Sequence, residues 1–149
     1  VSRLIPASET EEWGTPHDLW KFLNGLFRFT IDLAASPENA LLPRYYTKEQ
    51  DALVKDWVGE RAFCNPPYDW RSLERFTREA WTTWSYNGCP GFGVFLLPCK
   101  TDQAWFHEFV NEQDGVYIRF LRGRQKYIRP GKTAGAGFPS MLVGFGVEV

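Results

Sequence analysis

A chain of 149 residues is one domain by size and long enough to bury a core, for which seven Trp, six Tyr and twelve Phe supply large apolar side chains. Its 17 Lys and Arg nearly balance 18 Asp and Glu, and a formal net charge of −1 argues against a protein that coats nucleic acid. Cys64, Cys89 and Cys99 have neither zinc-ligand nor disulfide spacing, and there is no leader and no apolar run approaching ~20 residues; together these predict a soluble, cytoplasmic chain that needs no metal.

Residues 1–12 show no sustained period and read as an N-terminal arm, with a single domain over 13–149. Thr15 reads as a helix N-cap with Pro16 at the first helical position, because proline lacks the N–H that would be orphaned there. Leu19, Trp20, Leu23, Leu26 and Phe27 then recur at helical spacing. Phe29 to Leu33 alternates as a first strand does, ending at Asp32 with small residues beyond. An irregular stretch over 36–46 is followed by Thr47 and Gln50, the spacing of a capping box for a short helix. Arg61 to Cys64 is a short strand, and Asp69 caps a long helix with Leu73, Phe76, Ala80, Trp81 and Trp84 on one face, ending near Asn87 and Gly88. Phe92 to Leu97 is a continuous apolar run, as in a strand buried on both faces of a parallel sheet. Thr101 caps a helix with Trp105, Phe106, Phe109 and Val110. Val116 to Leu121, Gln125 to Ile128 and Met141 to Val147 read as strands around a Gly/Pro-rich loop from Pro130 to Pro139. The alternation of strand and helix predicts a three-layer α/β fold.

Asn65, Pro66, Pro67 and Tyr68 follow the strand ending at Cys64, where open α/β sheets bind ligands. A carboxamide oxygen and a backbone carbonyl, stiffened by two prolines without N–H groups, place two acceptors side by side to grip an –NH2 group. The aromatic ring that follows is suited to stack on the flat molecule carrying that amine. This constellation points to methyl transfer onto an exocyclic amine or an amide nitrogen.

In order, Trp13-Gly14-Thr15-Pro16, Phe29 to Ser36, Tyr46-Thr47 with Asp51-Ala52-Leu53 and Trp57, and Asn65 to Tyr68 resemble the phage-type DNA N6-adenine methyltransferase family. Leu96-Leu97-Pro98, Thr101-Asp102, Trp105-Phe106-His107, Gly123-Arg124 and Phe138-Pro139-Ser140 extend the likeness over nearly the whole chain. The resemblance implies S-adenosylmethionine as cofactor, adenine-containing DNA as partner, and a Rossmann-like methyltransferase sheet with flanking helices and an antiparallel C-terminal edge. It implies that the Asn65 side-chain oxygen and the Pro66 carbonyl accept from the adenine amine while Tyr68 stacks on a flipped-out base. It further implies cofactor contacts from Trp13, Thr15, Pro16 and Asp32, with Ala34 and Ala35 replacing the usual glycines. Residues 33–64 are too few for two βαβ crossovers, so the sheet must be trimmed. Asp51 is then the candidate for the cofactor ribose.

Arg119, Arg122, Arg124, Lys126, Arg129 and Lys132 occur with no acidic residue among them and suit DNA phosphates, although charges on an edge hairpin that discourage sheet association read the same way. His17 and His107 have no acidic or Cys partner at ligand spacing and read as structural or surface residues. Two other readings fit the Asn65 constellation: transfer to an RNA base or a protein glutamine, and a non-catalytic nucleic-acid-binding protein on a decayed methyltransferase scaffold.

Overall fold

Three parallel strands, β1 (Ile31–Asp32), β2 (Arg61–Cys64) and β3 (Phe92–Pro98), form one half of a five-stranded sheet. The structure, a computed structural model, describes residues 13–129, 132–135 and 137–149; the predicted arm over 1–12 lies outside them. β7 (Ser140–Phe145) runs antiparallel to β3 and to β4 (Val116–Phe120), giving the order β1-β2-β3-β7-β4. The antiparallel part of the trimmed Rossmann-like sheet is therefore β7, one strand in from the edge.

Phe63 on β2 meets Trp20 and Phe29 on one face of the sheet, with ring centroids 5.1 and 5.5 Å away. Trp20 belongs to α1 (His17–Phe27), which turns Trp20 and Leu23 inward. Leu26 lies off that arc and is exposed, contrary to expectation. On the opposite face Phe95 packs against Trp57 and Phe145, and Trp57 stacks on Phe76 and Trp84. These aromatic contacts join helix, sheet and helix into three layers.

The segment between β1 and β2 holds no crossover helix or further full strand. Arg44 to Tyr46 lies along the outer side of β1, with the Asp32 N–H donating to the Arg44 carbonyl at 3.1 Å and the Tyr46 N–H to the Asp32 carbonyl at 3.0 Å. The predicted capping box is formed: the Thr47 N–H donates to Gln50 Oε1 at 2.8 Å, and the Gln50 N–H to Thr47 Oγ1 at 3.3 Å. It closes one turn only, because Asp51 adopts φ +54° and redirects the chain into a 3-10 turn over Ala52–Val54.

Asp69 caps α2 (Trp70–Ala80) by accepting from the Ser72 N–H at 2.9 Å. The helix widens into a π turn over Trp81–Tyr86, which keeps Trp84 against the sheet. α3 (Ala104–Phe109) starts after Gln103 and not at Thr101, whose carbonyl instead contacts the His107 ring at 2.7 Å. β5 (Lys126–Arg129) and β6 (Lys132–Gly135) form a separate hairpin, so strand occupies part of the predicted Pro130–Pro139 loop; Pro130 itself lies outside the described residues.

Candidate active site

Parallel pairing of β1, β2 and β3 places Asp32, Asn65 and Pro98 along the C-terminal edge of the sheet. Ser140 joins them as the register partner of Pro98. Asn65 is half-buried, and both ends of its carboxamide are engaged. Nδ2 donates to the Trp13 carbonyl and, at 3.1 Å, to Thr15 Oγ1, while Oδ1 accepts from the Tyr68 hydroxyl at 2.7 Å. The Thr15 hydroxyl therefore serves Asn65 and not the end of α1. That helix begins one residue later, because Pro16 has a non-helical ψ of 133° and stands as its cap.

The segment carrying Trp13 and Thr15 is held by Gly14, whose N–H and carbonyl exchange hydrogen bonds of 2.8 Å with Ile128 of β5. A Cβ at Gly14 would lie 2.7 Å from the Ile128 carbonyl oxygen, so the close approach needs glycine. Pro66 is buried, and its carbonyl accepts no hydrogen bond among the described residues. Lys100 donates from Nζ to the Tyr68 carbonyl at 3.2 Å, a contact with no local sequence signal.

Tyr68, expected as an open stacking ring, is 2% exposed. The Tyr127 and Phe138 rings pack on it in edge geometry at 6.1 and 5.7 Å. Its hydroxyl also lies 3.0 Å from the Leu96 carbonyl and 3.2 Å from the Tyr127 hydroxyl, which in turn is 2.8 Å from Ser140 Oγ. The hydroxyl thus has three oxygen neighbours, and the ring lies buried beside them. Tyr127 carries no site signal in the sequence beyond a phenol among the apolar positions of a short strand. Burial pushes the Tyr68 phenol well above its usual pKa and raises that of Tyr127, so both stay protonated at neutral pH.

The Asp32 carboxyl is buried at the end of β1 and accepts from the Ala34 N–H at 3.2 Å. Loss of hydration lifts its pKa from 3.8 to about 7, more than its backbone hydrogen bonds lower it. The two ion pairs among the described residues, Arg44 with Glu60 and Arg78 with Glu74, leave Asp32 without a cation. Ala35 joins the same turn through its N–H, 3.0 Å from the Tyr46 carbonyl. Asp51 is placed apart: its side chain accepts from the Leu53 N–H at 3.1 Å, and no contact among the described residues ties it to Asp32 or Asn65. A cavity of about 320 Å³ lies beside β1, walled by Ile31, Thr47, Gln50 and residues 43–46, and Asp51 does not line it.

Of the basic residues, Arg119, Arg122, Arg124 and Lys126 are exposed; the side chains of Arg129 and Lys132 lie outside the described part. Arg124 comes close enough to Cys99 to oppose the upward shift that burial imposes on that thiol, which puts its charge near the end of β3. Among the described residues no three His, Cys, Asp or Glu side chains are grouped as metal ligands, and no helix is long and apolar enough to cross a membrane.

The family model for DNA N-6-adenine-methyltransferase (Dam) matches residues 3–143. A DNA N-6-adenine-methyltransferase of Escherichia phage T1 is 29% identical over 105 residues, covering 69% of this chain and 42% of that protein, so the chain spans less than half of that relative's length. YfdM of Escherichia coli (strain K12), a protein named as a methyltransferase, is 42% identical over 77 residues, or 44% of this chain and 84% of that one. With the family match running over almost its whole length and across every part of the site, the chain belongs to the DNA N-6-adenine-methyltransferase (Dam) family.

Proposed function

We propose that this chain methylates the N6 amino group of adenine in DNA, with S-adenosylmethionine as methyl donor and the target base turned out of the helix. The observation that carries the reading is the pair of acceptors at the C-terminal edge of β2: Asn65 Oδ1, with one lone pair left beyond the Tyr68 contact, and the Pro66 carbonyl, which accepts nothing among the described residues.

The residues fit such a donor. Asp32 is a buried carboxylate lacking a cation, the complement of a ligand ammonium. Trp13, Thr15 and Pro16 on one side and the small Ala34 and Ala35 on the other would flank that ligand. A role for Asp51 at the ribose has no support from its contacts, since its carboxylate is occupied by its own turn. When bound, the donor would supply a methyl group from a positively charged sulfur, whose bond to that carbon breaks to leave a neutral thioether.

Adenine N6 is a poor nucleophile because its lone pair is delocalised into the ring. Accepting its two hydrogens at Asn65 Oδ1 and the Pro66 carbonyl holds the nitrogen in place and favours the pyramidal geometry that frees the lone pair. The same acceptors stabilise positive charge as it develops on N6, which then loses a proton to water. Arg119, Arg122, Arg124 and Lys126 would track the backbone of a base that must leave the stack to react.

The test is transfer of labelled methyl from S-adenosylmethionine to adenine-containing DNA, with nucleoside analysis of the product. N6-methyladenine from the parent, reduced roughly 10²–10³-fold in Asn65→Ala, is the expected result. Label that enters RNA or a glutamine peptide in preference to DNA would overturn the substrate. A folded chain that binds no donor would overturn the activity.

A further inference from the structure

We infer that Tyr68 acts through its hydroxyl, as the end of a buried hydrogen-bond chain in which Tyr127 and Ser140 are positioning residues that set the orientation of the Asn65 amide. The assignment rests on the proposed reaction for its consequence, but the chain itself is a matter of geometry. Four groups lie in sequence: Ser140 Oγ, the Tyr127 hydroxyl 2.8 Å away, the Tyr68 hydroxyl 3.2 Å further on, and Asn65 Oδ1 at 2.7 Å. They come from β7, β5 and the loop after β2, and Ser140, Tyr127 and Tyr68 are all buried.

The direction of the chain follows from counting protons. Tyr68 has two neighbours that only accept, Asn65 Oδ1 and the Leu96 carbonyl, so its single proton goes to one of them; the shorter contact is to Asn65. Tyr127 must then donate to Tyr68. Having spent its proton there, Tyr127 accepts from Ser140. Hydroxyls aligned in one direction polarise one another, and each strengthens the next.

An amide side chain has two nearly isosteric ends, and turning it over would exchange Oδ1 for Nδ2. In Asn65 the reversed amide would set an oxygen against the Trp13 carbonyl and lose the acceptor of the Tyr68 proton. The Trp13 carbonyl and Thr15 Oγ1 select the nitrogen end, and the hydroxyl chain selects the oxygen end. β5 serves both brackets: Ile128 holds the Trp13–Thr15 segment through Gly14, and Tyr127, the preceding residue, holds Tyr68.

Tyr68→Phe keeps the ring and removes only the hydroxyl. Its kcat for methyl transfer to DNA is expected to fall roughly ten- to a hundredfold with KM for the donor unchanged. Tyr127→Phe should fall in the same sense, and the double variant should be no slower than Tyr68→Phe alone, because one chain is then broken twice. Ser140→Ala should fall less and Ser140→Thr should retain activity. A readout independent of catalysis is the Asn65 side-chain amide in 15N NMR spectra: slow hydrogen exchange in the parent, faster in Tyr68→Phe although the backbone resonances persist. Full activity in Tyr68→Phe, additive losses in the double variant, or an unchanged Asn65 amide in Tyr68→Phe would each overturn the assignment. If the parent transfers no methyl group at all, the proposed reaction fails and the amide exchange alone decides the chain.

Discussion

In the proposed reaction Asp32 sets stability and donor binding against each other. With a folded pKa of about 7 against an ordinary 3.8, the native state keeps its proton over a window in which the unfolded state loses it. Stability therefore falls as pH rises from about 4 to 7 and levels off above, a loss on the order of 4 kcal/mol. Asp32→Asn is expected to remove that fall, so its melting temperature at pH 8 should exceed the parent's while the two converge near pH 4. The same variant should bind S-adenosylmethionine far more weakly, since the ionised carboxylate is what attracts a cation. For the parent, calorimetry should find donor affinity rising with pH through about 7, and a flat profile would remove Asp32 from the cofactor site. Tyr68 teaches a related lesson. Residue type suggests a stacking platform, and the structure adds a buried ring whose hydroxyl has three neighbouring oxygen atoms.

Among the elements, β5 and the segment before α1 matter most to the site, although neither belongs to the main sheet. Gly14→Ala puts a methyl carbon 2.7 Å from the Ile128 carbonyl and must push the two apart. The expected outcome is a melting temperature lowered by a few degrees and a larger proportional loss of kcat, measured by thermal unfolding and methyl transfer side by side. Gly93 on β3 is a purely structural counterpart. A Cβ there would meet the Trp84 ring at 2.5 Å, so Gly93→Ala should cost about 1–3 kcal/mol in urea unfolding, leaving donor affinity unchanged in the folded fraction. Asp69→Ala should cost about 0.5–2 kcal/mol by uncapping α2, with the same urea experiment as the check. These elements were legible to different degrees. The Asp69 cap and the apolar face from Leu73 to Trp84 announced α2, but the π turn at its end follows from fitting Trp84 against the sheet, which no local pattern encodes. The capping box at Thr47 formed as its spacing predicts, yet the positive φ of Asp51 stopped it after one turn.

For the whole molecule, a net charge of −1 conceals a one-sided distribution. Arg119, Arg122 and Arg124 are exposed on or just beyond β4, whose outer side has no partner strand among the described residues. If these residues meet DNA phosphates, each replacement by Gln should weaken binding about equally for all sequences and lower the slope of log affinity against log salt by about 0.9 per contact. Fluorescence anisotropy over a salt series measures both. A slope that does not change in Arg122→Gln and Arg124→Gln would assign the charges to keeping an open sheet edge from pairing.

By itself the sequence determined what local chemistry and chain length can determine. Strand and helix alternation specified the three-layer class, and the short span before Asn65 ruled out a full-length sheet because crossovers need residues that are not there. The acceptor pair was legible because Asn and Pro in that order restrict the backbone whatever surrounds them. Only tertiary structure decided which groups those acceptors meet. Thr15, Asn65, Tyr68, Tyr127 and Ser140 are scattered along the chain, and a periodicity or a cap reports on neighbours in sequence, not on a hydroxyl arriving from another strand. The burial that turns Tyr68 inward and lifts the Asp32 pKa is likewise a property of packed layers, where water is excluded by residues distant in the sequence.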